Sequence, residues 1–309
     1  MYRGLAVGVA IPALDEEASI GYVVGDLKGL RNDDDSAVID DIVVCDNGSR
    51  DATGARAAEA GARVVREARK GYGSACLAAI AGLERTDVVL FTDADHAFHA
   101  SQAPRLLDGI ADGADLAIGS RALGDLDPGA MSATQVVGNR LATALIRWLW
   151  RQRVTDLGPY RAIRAQALSR LAMRDATFGW TVEMQVKAIQ HGLHIVEVPV
   201  DTRARIGKSK ISGTVRGVLG AGFGILSMIA KLRWQQGTVG DGPRSLRRRN
   251  GTKCRCRARS SGAVGAGAGR RVRPLAGAGE RSGGVVPSRF TETALPGAGD
   301  HKGRPYADS

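Results

Sequence analysis

A strand pattern that ends in two aspartates, at residues 88–95, constrains the fold of this chain more than any other stretch. Four apolar residues are followed by Thr92, Asp93 and Asp95 at the point where the strand should end. In open α/β sheets ligands bind outside the carboxyl ends of the strands, and side chains two positions apart on extended backbone point the same way. Two such carboxylates repel each other unless a cation or hydrogen-bond donors lie between them. The pair therefore predicts a divalent-metal site for Mg²⁺ or Mn²⁺, which prefer oxygen ligands; a polar turn that carries two Asp is the alternative.

The segments around this pattern alternate between strands and helices. Apolar runs predict strands at residues 5–11, 39–45, 62–66, 88–91, 116–118 and 195–200. Helical spacing predicts helices at 18–30, 52–60, 74–84, 101–110, 136–151, 162–173 and 181–191. Short connections between alternating elements predict an α/β fold: a doubly wound, mostly parallel sheet with helices on both faces.

Acidic residues follow the predicted strands where other nucleotide-binding chains carry glycine-rich loops. No G-x-G-x-x-G follows the first strand and no G-x-x-x-x-G-K-[ST] occurs, so the usual dinucleotide and P-loop cradles are absent. Asp15, Glu17 and Asp46 follow the first two strands instead, and they suit a metal that bridges phosphates, or ribose hydroxyls and base edges. The basic stretch 203–210 offers Arg, Lys and backbone N–H groups that suit a diphosphate; a solvated basic turn is the alternative.

The basic charge of the chain is concentrated at its carboxyl end. Residues 237–309 hold 15 Lys/Arg and 5 Asp/Glu, whereas residues 1–236 hold 28 and 27, so no nucleic-acid face is indicated in the first segment. The second segment is rich in Gly, Ala, Arg, Ser and Pro without apolar periodicity, which predicts disorder. We therefore expect a folded domain at 1–236 and a disordered tail at 237–309. The four cysteines form neither a zinc pattern nor a disulfide scaffold, and a cytoplasmic setting fits.

Two segments raise the question of a membrane. No signal peptide and no apolar run of 18 residues is visible, so we expect no transmembrane helix. Residues 217–230 carry no charge and predict either a packed helix or an interfacial one. In the helix at 136–151, Leu141, Leu145, Trp148 and Leu149 share a face that we expect in the core; an acceptor-side or membrane-facing wall is the alternative.

Seven short motifs occur in order over residues 5–235. They are IPALDEE at 11–17, VCDNGSRD at 44–51, TDAD at 92–95, GSR at 119–121, TDLGPYR at 155–161, GWTVE at 179–183 and RIGKSK at 205–210. Together they resemble the motifs of the family 2 inverting glycosyltransferases of GT-A fold, and the similarity is greatest to the dolichyl-phosphate mannose synthase-like branch. The segment after residue 236 has no counterpart in this resemblance.

The resemblance implies a role for each matching residue. Around the nucleotide-diphosphate sugar it places Pro12, Asp15, Glu17, Asp46, Asp93, Arg121, Arg205, Ser209 and Lys210, with Asp93 and Asp95 also holding the metal. Asp156, Arg161 and Trp180 would lie on the acceptor side. Glu183 and Asp95 would be catalytic, with Glu183 as the base for a hydroxyl acceptor. A phosphate acceptor is already ionised, and Glu183 would then only position groups.

The implied reaction moves a hexose from a UDP- or GDP-sugar to a polyprenyl phosphate or another acceptor, with inversion and with metal assistance to the leaving group. A lipid acceptor implies peripheral contact with the inner face of a membrane. One departure weakens the pattern: relatives continue after the second Asp with polar or acidic residues, whereas this chain has His96, Ala97, Phe98, His99 and Ala100. His96 or His99 could replace a missing ligand. Two alternatives remain: a non-catalytic or weakened nucleotide-sugar binder, and a nucleotidyltransferase, which the acids at 15–17 disfavour.

Overall fold

The computed structural model describes residues 1–207 and 215–238, and of a few residues near the ends of its last helix only the backbone. In this part of the chain a seven-stranded sheet has the order β3-β2-β1-β4-β6-β5-β7. The strands are β1 (Val7–Ala13), β2 (Asp41–Asp46), β3 (Arg63–Arg66), β4 (Val88–Phe91), β5 (Leu116–Ser120), β6 (Arg161–Arg164) and β7 (Ile195–Pro199). The helices are α1 (Ile20–Lys28), α2 (Thr53–Glu59), α3 (Tyr72–Gly82), α4 (Ala103–Ala111), α5 (Ala133–Trp150), α6 (Ala165–Leu171), α7 (Trp180–Gln190) and α8 (Val215–Thr238).

The predicted doubly wound, mostly parallel sheet is confirmed. β1 lies between β2 and β4 and is parallel to both, with Ala13 opposite Asp46 and Ala10 opposite Phe91. Every residue of β1 is buried, as expected for a strand that is covered on both faces. Because the three strands run in register, the loops that follow them leave the sheet at one edge.

Helices cover both faces of this sheet. On one face α1 and α4 pack through Ile20, Leu27, Leu106 and Ile110. On the other face α3, α6 and α7 pack through residues that include Cys76, Leu168, Trp180 and Met184. A third cluster of buried side chains joins α5, α7 and α8 and includes Ile146, Val182 and Ile229.

β6 corrects one prediction. Residues 162–173 were expected to form a single helix, but Arg161–Arg164 form a strand that is antiparallel to both β4 and β5, and only Ala165–Leu171 are helical. Arg161, Ala162 and Ile163 are buried in the sheet. A short apolar run of this kind is ambiguous by periodicity alone, and pairing with two neighbouring strands decides its conformation.

Two helices, α5 and α8, differ in length from their predictions. On α5, Leu141 and Trp148 are exposed rather than in the predicted core. α5 begins at Ala133, three residues before the predicted start, because Ser132 and Gln135 form a capping box there. α8 runs over 24 residues, against the 14 predicted for 217–230, and ends two residues beyond the expected domain boundary at 236. Within residues 1–207 and 215–238, no helix is both long and apolar enough to cross a membrane. The rest of the segment expected to be disordered lies outside the described residues.

Candidate active site

The loops that follow β1 and β2 interlock at the carboxyl edge of the sheet. The backbone N–H of Asp15 donates to Ser49 Oγ over 3.0 Å, and the N–H of Arg50 donates to Asp15 Oδ1 over 2.7 Å. The N–H of Ala52 donates to the Glu17 carboxylate over 2.9 Å. Asp15 has a φ of 50°, in the left-handed region that acidic and amide side chains tolerate. Asp15 and Glu17, both predicted around the nucleotide, therefore have fixed positions; Pro12 is buried at the end of β1.

Asp46 and Asn47 continue this edge at the end of β2. Asp46 is almost fully buried and accepts the N–H of Ser49 over 2.8 Å. The Asn47 side chain donates to the carbonyls of Glu67 and Arg69 and accepts the N–H of Gly71 over 2.8 Å. Asn47 lies within the motif at residues 44–51. It also connects the loop after β2 to the loop before α3.

Asp93 and Asp95 follow β4, which pairs with β1 at the centre of this edge. The hydroxyl of Tyr72, at the start of α3, donates to Asp93 over 3.1 Å. Burial, with a further contribution from the charge of Asp95, raises the pKa of Asp93 well above its usual range, while Tyr72, Arg205 and Arg121 act in the opposite direction. Asp95 is buried, and its carboxylate accepts the N–H of Ala97 and lies 2.9 Å from Arg205 Nη2. Hydrogen-bond donors and a cationic side chain thus offset the repulsion between the two carboxylates.

This donor set fits a divalent cation that takes its remaining ligands from elsewhere. Among the residues described, no group of three or more His, Cys, Asp or Glu side chains could hold a metal ion. Mg²⁺ is commonly bound by only one or two carboxylates, with substrate phosphates and water completing its shell. Asp93 and Asp95 supply such a pair. His96 takes no part in it, because its ring lies 2.8 Å from Asp26 and stacks beside Tyr22 on α1.

The first half of the basic stretch, residues 203–207, runs beside the segment that follows Asp95. The N–H of Arg203 donates to the carbonyl of Ala97 over 3.0 Å, and its Nε donates to the carbonyl of His96 over 2.6 Å. The N–H of Ile206 donates to the carbonyl of Asp95 over 3.0 Å. These bonds bring Arg205 against the Asp pair. The predicted phosphate ligands Ser209 and Lys210 lie outside the described residues.

Arg121, which is partly exposed, and the fully buried Asp156 form an ion pair beside the Asp pair. The backbone N–H and Nε of Arg121 each donate to Asp156 Oδ2 over 2.8 Å, and Nη2 donates to Oδ1 over 2.7 Å. Burial lowers the pKa of Arg121, but the hydrogen bonds and charge of Asp156 raise it, and the charges of Asp93 and Asp95 raise it further. The net result is a pKa above the usual range. Arg121 is therefore a fixed positive charge that lies within electrostatic reach of the Asp pair.

Glu197 supports this ion pair, and sequence reasoning did not identify it. Its carboxylate accepts the N–H and hydroxyl of Thr155, over 2.8 and 3.0 Å, and lies 3.3 Å from the N–H of Asp156. The available signal was a single acid inside the apolar strand pattern at 195–199.

Two residues predicted on the acceptor side are buried. Arg161 is 1% exposed; it donates to the carbonyls of Gly158 and Thr181, and burial lowers its pKa to about 10. Trp180 is 1% exposed and packs edge-on against Phe91, with ring centroids 6.3 Å apart. Their acceptor-side role stays a prediction.

Glu183, the predicted base, has both carboxylate oxygens engaged within the protein. It accepts the N–H of Arg174 over 3.1 Å and of Asp175 over 2.7 Å, and Lys187 Nζ lies 2.8 Å away. Glu183 thereby holds the segment 174–177, which also contacts α3. The N–H groups of Gly73 and Ser74 donate to the carbonyls of Thr177 and Ala176. Glu183 is thus connected to the start of α3, where Tyr72 contacts Asp93.

Residues 8–172 of the chain match the family model described as Glycosyl transferase family 2. An uncharacterized glycosyltransferase of Mycobacterium bovis is 36% identical over 220 residues, which cover 69% of this chain and 93% of the relative. An undecaprenyl-phosphate mannosyltransferase of Micrococcus luteus is 32% identical over 220 residues, which cover 67% and 88%.

Solved structures give the same result for the fold. Glucosyl-3-phosphoglycerate synthase from Mycobacterium tuberculosis, in complex with Mn²⁺, UDP and glucosyl-3-phosphoglycerate, superposes with a TM-score of 0.59 at 25% identity. The match covers 74% of this chain and 81% of that one. The GT-A fold expected from the sequence motifs is confirmed. The chain belongs to glycosyl transferase family 2, in its dolichyl-phosphate mannose synthase-like branch, and is a glycosyltransferase.

Proposed function

We propose that this glycosyltransferase moves a hexose from a UDP- or GDP-sugar to a polyprenyl phosphate, with inversion and with the help of Mg²⁺ or Mn²⁺. The observation that carries the proposal is the Asp93–Asp95 pair, which lies beside the interlocked acidic loops of β1 and β2 and against Arg205. The undecaprenyl-phosphate mannosyltransferase of Micrococcus luteus, which this chain matches over two thirds of its length, supports the choice of acceptor.

On the donor side, Asp15, Glu17 and Asp46 offer carboxylate oxygens to the ribose and base. Backbone N–H groups already orient these oxygens, so little ordering remains to be done when the nucleotide binds. Asp93 and Asp95 would hold the divalent cation. When bound, the cation supplies Lewis-acid neutralisation of the diphosphate leaving group.

On the acceptor side, the engaged carboxylate of Glu183 favours a phosphate over a hydroxyl. Its oxygens accept two backbone N–H groups and pair with Lys187, so a base role would require the loss of those bonds. A phosphate monoester has a second pKa of about 6, and its oxygen is therefore ionised near neutral pH without a protein base. Attack by that oxygen on the face opposite the leaving diphosphate inverts the anomeric carbon. Arg121, oriented by Asp156, supplies positive charge for the substrate phosphates.

The first test is thermal stabilisation of the full chain by UDP and by GDP, each with and without Mn²⁺. A ligand at a hundredfold excess over its dissociation constant stabilises the native state by about 2.7 kcal/mol. We expect a metal-dependent shift with one of the two nucleotides, which names the base. The shift should be lost in Asp95→Asn and kept in Asp33→Asn, a substitution of an exposed loop aspartate.

The second test is transfer itself. Incubation with radiolabelled UDP- or GDP-hexose and undecaprenyl phosphate should give a lipid-linked hexose whose anomeric configuration is opposite to that of the donor. Binding of a nucleotide without transfer to any acceptor would instead support a nucleotide-sugar binder. Retention of the donor's anomeric configuration would contradict the proposed single displacement.

A further inference from the structure

His96, where this chain departs from the motifs of its relatives, is fixed to α1. Its Nε2 lies 2.8 Å from Asp26 Oδ2, and its ring packs at a tilt beside that of Tyr22, with centroids 5.7 Å apart. The backbone of His96 has a φ of 61°, in the left-handed region, and the chain turns at residues 94–96. The contact with Asp26 therefore joins α1 to the turn that carries Asp95.

Asp26 contacts the basic stretch as well. Arg203 Nη2 lies 3.6 Å from Asp26 Oδ2. The Arg203 side chain also donates from Nε to the carbonyl of His96 over 2.6 Å and from Nη2 to the carbonyl of Phe98 over 3.5 Å. One carboxylate on α1 thus orients side chains from two segments that are 107 residues apart in sequence.

These two segments carry the groups that face the diphosphate side of the candidate site. The N–H of Arg203 donates to the carbonyl of Ala97, and the N–H of Ile206 donates to the carbonyl of Asp95, both over 3.0 Å. Between those bonds, Arg205 places Nη2 at 2.9 Å from Asp95 Oδ2. The position of Arg205 relative to Asp95 therefore depends on how firmly the segments at 95–98 and 203–206 are held together.

The ordering of a long side chain affects the affinity that it can contribute. An arginine that is free to change rotamer loses that freedom when it binds a phosphate, and the loss weakens binding. Arg205 is about one third exposed, so its side chain can meet an arriving ligand without leaving the protein surface. A contact that fixes the backbone on both sides of Arg205 reduces the ordering that remains to be done.

We propose that Asp26 is a positioning residue for the nucleotide diphosphate, which acts through His96 and Arg203 to set the position of Arg205. The inference deepens the proposed function and rests on it for the diphosphate that Arg205 would meet. Asp26 lies outside the seven sequence motifs, so the motifs alone do not point to it.

The test is a double-mutant cycle on Asp26→Ala and Arg205→Gln. Calorimetric titrations of the full chain with UDP and with GDP, at saturating Mn²⁺, give the affinities. We expect Asp26→Ala to weaken binding of the nucleotide that the wild type prefers by about three- to fivefold, the size of effect that partly exposed ion pairs produce. In the Arg205→Gln background the same substitution should change the affinity less than about twofold, because residues that act through one another are not additive.

Two further variants make the result specific. Asp108→Ala is the matched control: the Asp108 side chain is 48% exposed, against 47% for Asp26, and it pairs with Arg3 ahead of β1, at the opposite edge of the sheet. It should bind the nucleotide as the wild type does. His96→Asn removes the ring but keeps a residue type that tolerates left-handed backbone, and it should reproduce the loss seen in Asp26→Ala.

Hydrogen exchange of the nucleotide-free full chain gives a second readout. The amides of Arg203 and Ile206 should exchange faster in Asp26→Ala than in the wild type, because their bonds to the 95–97 segment open more often. Asp108→Ala should leave their exchange unchanged.

The outcomes separate this inference from the proposed function. Equal losses of affinity in the wild-type and Arg205→Gln backgrounds would overturn the inference, since Asp26 would then act on the fold and not through Arg205. Wild-type affinity in Asp26→Ala would also overturn it, even with faster exchange. Both results leave the proposed function intact. A wild-type protein that binds neither nucleotide would overturn the proposed function and the inference together.

Discussion

The carboxylates assigned to the active site differ in what holds them. Glu17 and Asp46 accept backbone N–H groups, and a carboxylate has further lone pairs that can accept from a ribose hydroxyl or a base edge. Asp95 and Asp156 are paired with Arg205 and Arg121. A backbone donor fixes a carboxylate without adding a net charge, whereas an arginine also sets the charge that an arriving phosphate meets. This difference supports the proposal that the two halves of the site bind different ligand groups.

The Arg121–Asp156 pair should be essential for stability as well as for activity. Asp156 is fully buried, and Asp156→Asn would leave the Arg121 guanidinium without its charged partner. Loss of one member of a buried pair typically costs about 3–5 kcal/mol. We expect a lowered midpoint in urea unfolding, with an unchanged slope. Asp112→Asn, which breaks the exposed pair with Arg3, is the control and should leave the midpoint unchanged. Equal midpoints for both variants would show that the Arg121 pair contributes nothing net.

Residues proposed to bind substrate were easier to identify from the sequence than the residues that support them. Asp93, Asp95 and Asp46 follow buried strands, and that position alone assigns them to the ligand-binding edge. Asn47 and Glu197 act through bonds to backbone that is distant in sequence, at Arg69 and at Thr155. No local pattern encodes such partners. The involvement of Glu183 in a loop contact could not be predicted for the same reason.

At the scale of secondary structure, the start of α3 connects the predicted base to the proposed metal site. Gly71 and Gly73 allow the backbone at residues 175–176 to approach closely: a Cβ at Gly73 would lie 2.0 Å from the carbonyl oxygen of Asp175. Glu183 holds the other side of that loop through the N–H groups of Arg174 and Asp175. Tyr72, between the two glycines, donates to Asp93. Displacement of this loop should therefore disturb the Asp93–Asp95 pair through Tyr72.

Gly73→Ala tests this connection against a matched glycine. The added methyl group meets backbone, so α3 and the 174–177 loop must separate, and we expect loss of stability together with weaker metal-dependent nucleotide binding. Gly25→Ala, at an exposed position of α1 where a Cβ meets no atom within 4 Å, should instead be neutral or stabilising by up to about 1 kcal/mol. The measurements are the unfolding midpoint and the UDP or GDP affinity of each variant. If Gly73→Ala kept wild-type nucleotide affinity, the loop would not be coupled to the site.

The periodicity of the sequence failed to predict one element, the strand β6. In the stretch 161–171, basic and apolar residues recur at helical spacing. Its first four residues nevertheless form a strand between β4 and β5. β1, β2, β4 and β5 were predictable because each contains a continuous apolar run. β6 was not, since an antiparallel strand inserted between two others is specified by its partners rather than by its own sequence.

At the scale of the whole molecule, burial in the core raises the pKa values of several thiol and phenol groups. Cys45 on β2 and Cys76 on α3 pack in one buried cluster, and Tyr160 is buried beside Phe98 on the other face. Burial raises the pKa of Cys45 to about 12 and raises the pKa values of Cys76 and Tyr160 as well. These groups lose their protons in the unfolded chain at lower pH than in the folded protein.

The consequence is a loss of stability in alkali whose sign follows from proton binding. Between a pH of about 9, where an unfolded thiol ionises, and about 12, where Cys45 ionises in the fold, the folded state binds more protons, so the free energy of unfolding falls as pH rises. Below pH 9 this contribution is fully present. Urea unfolding from pH 8 to 11 should show the decline, and Cys45→Ala should make it shallower, because one of the groups that titrate differently is gone. Cys254→Ala removes a thiol outside the folded core predicted from sequence and should leave the slope as it is in the wild type. If both variants decline in parallel with the wild type, deprotonation of Cys45 is not coupled to unfolding, and the alkaline sensitivity of this protein must arise from other groups.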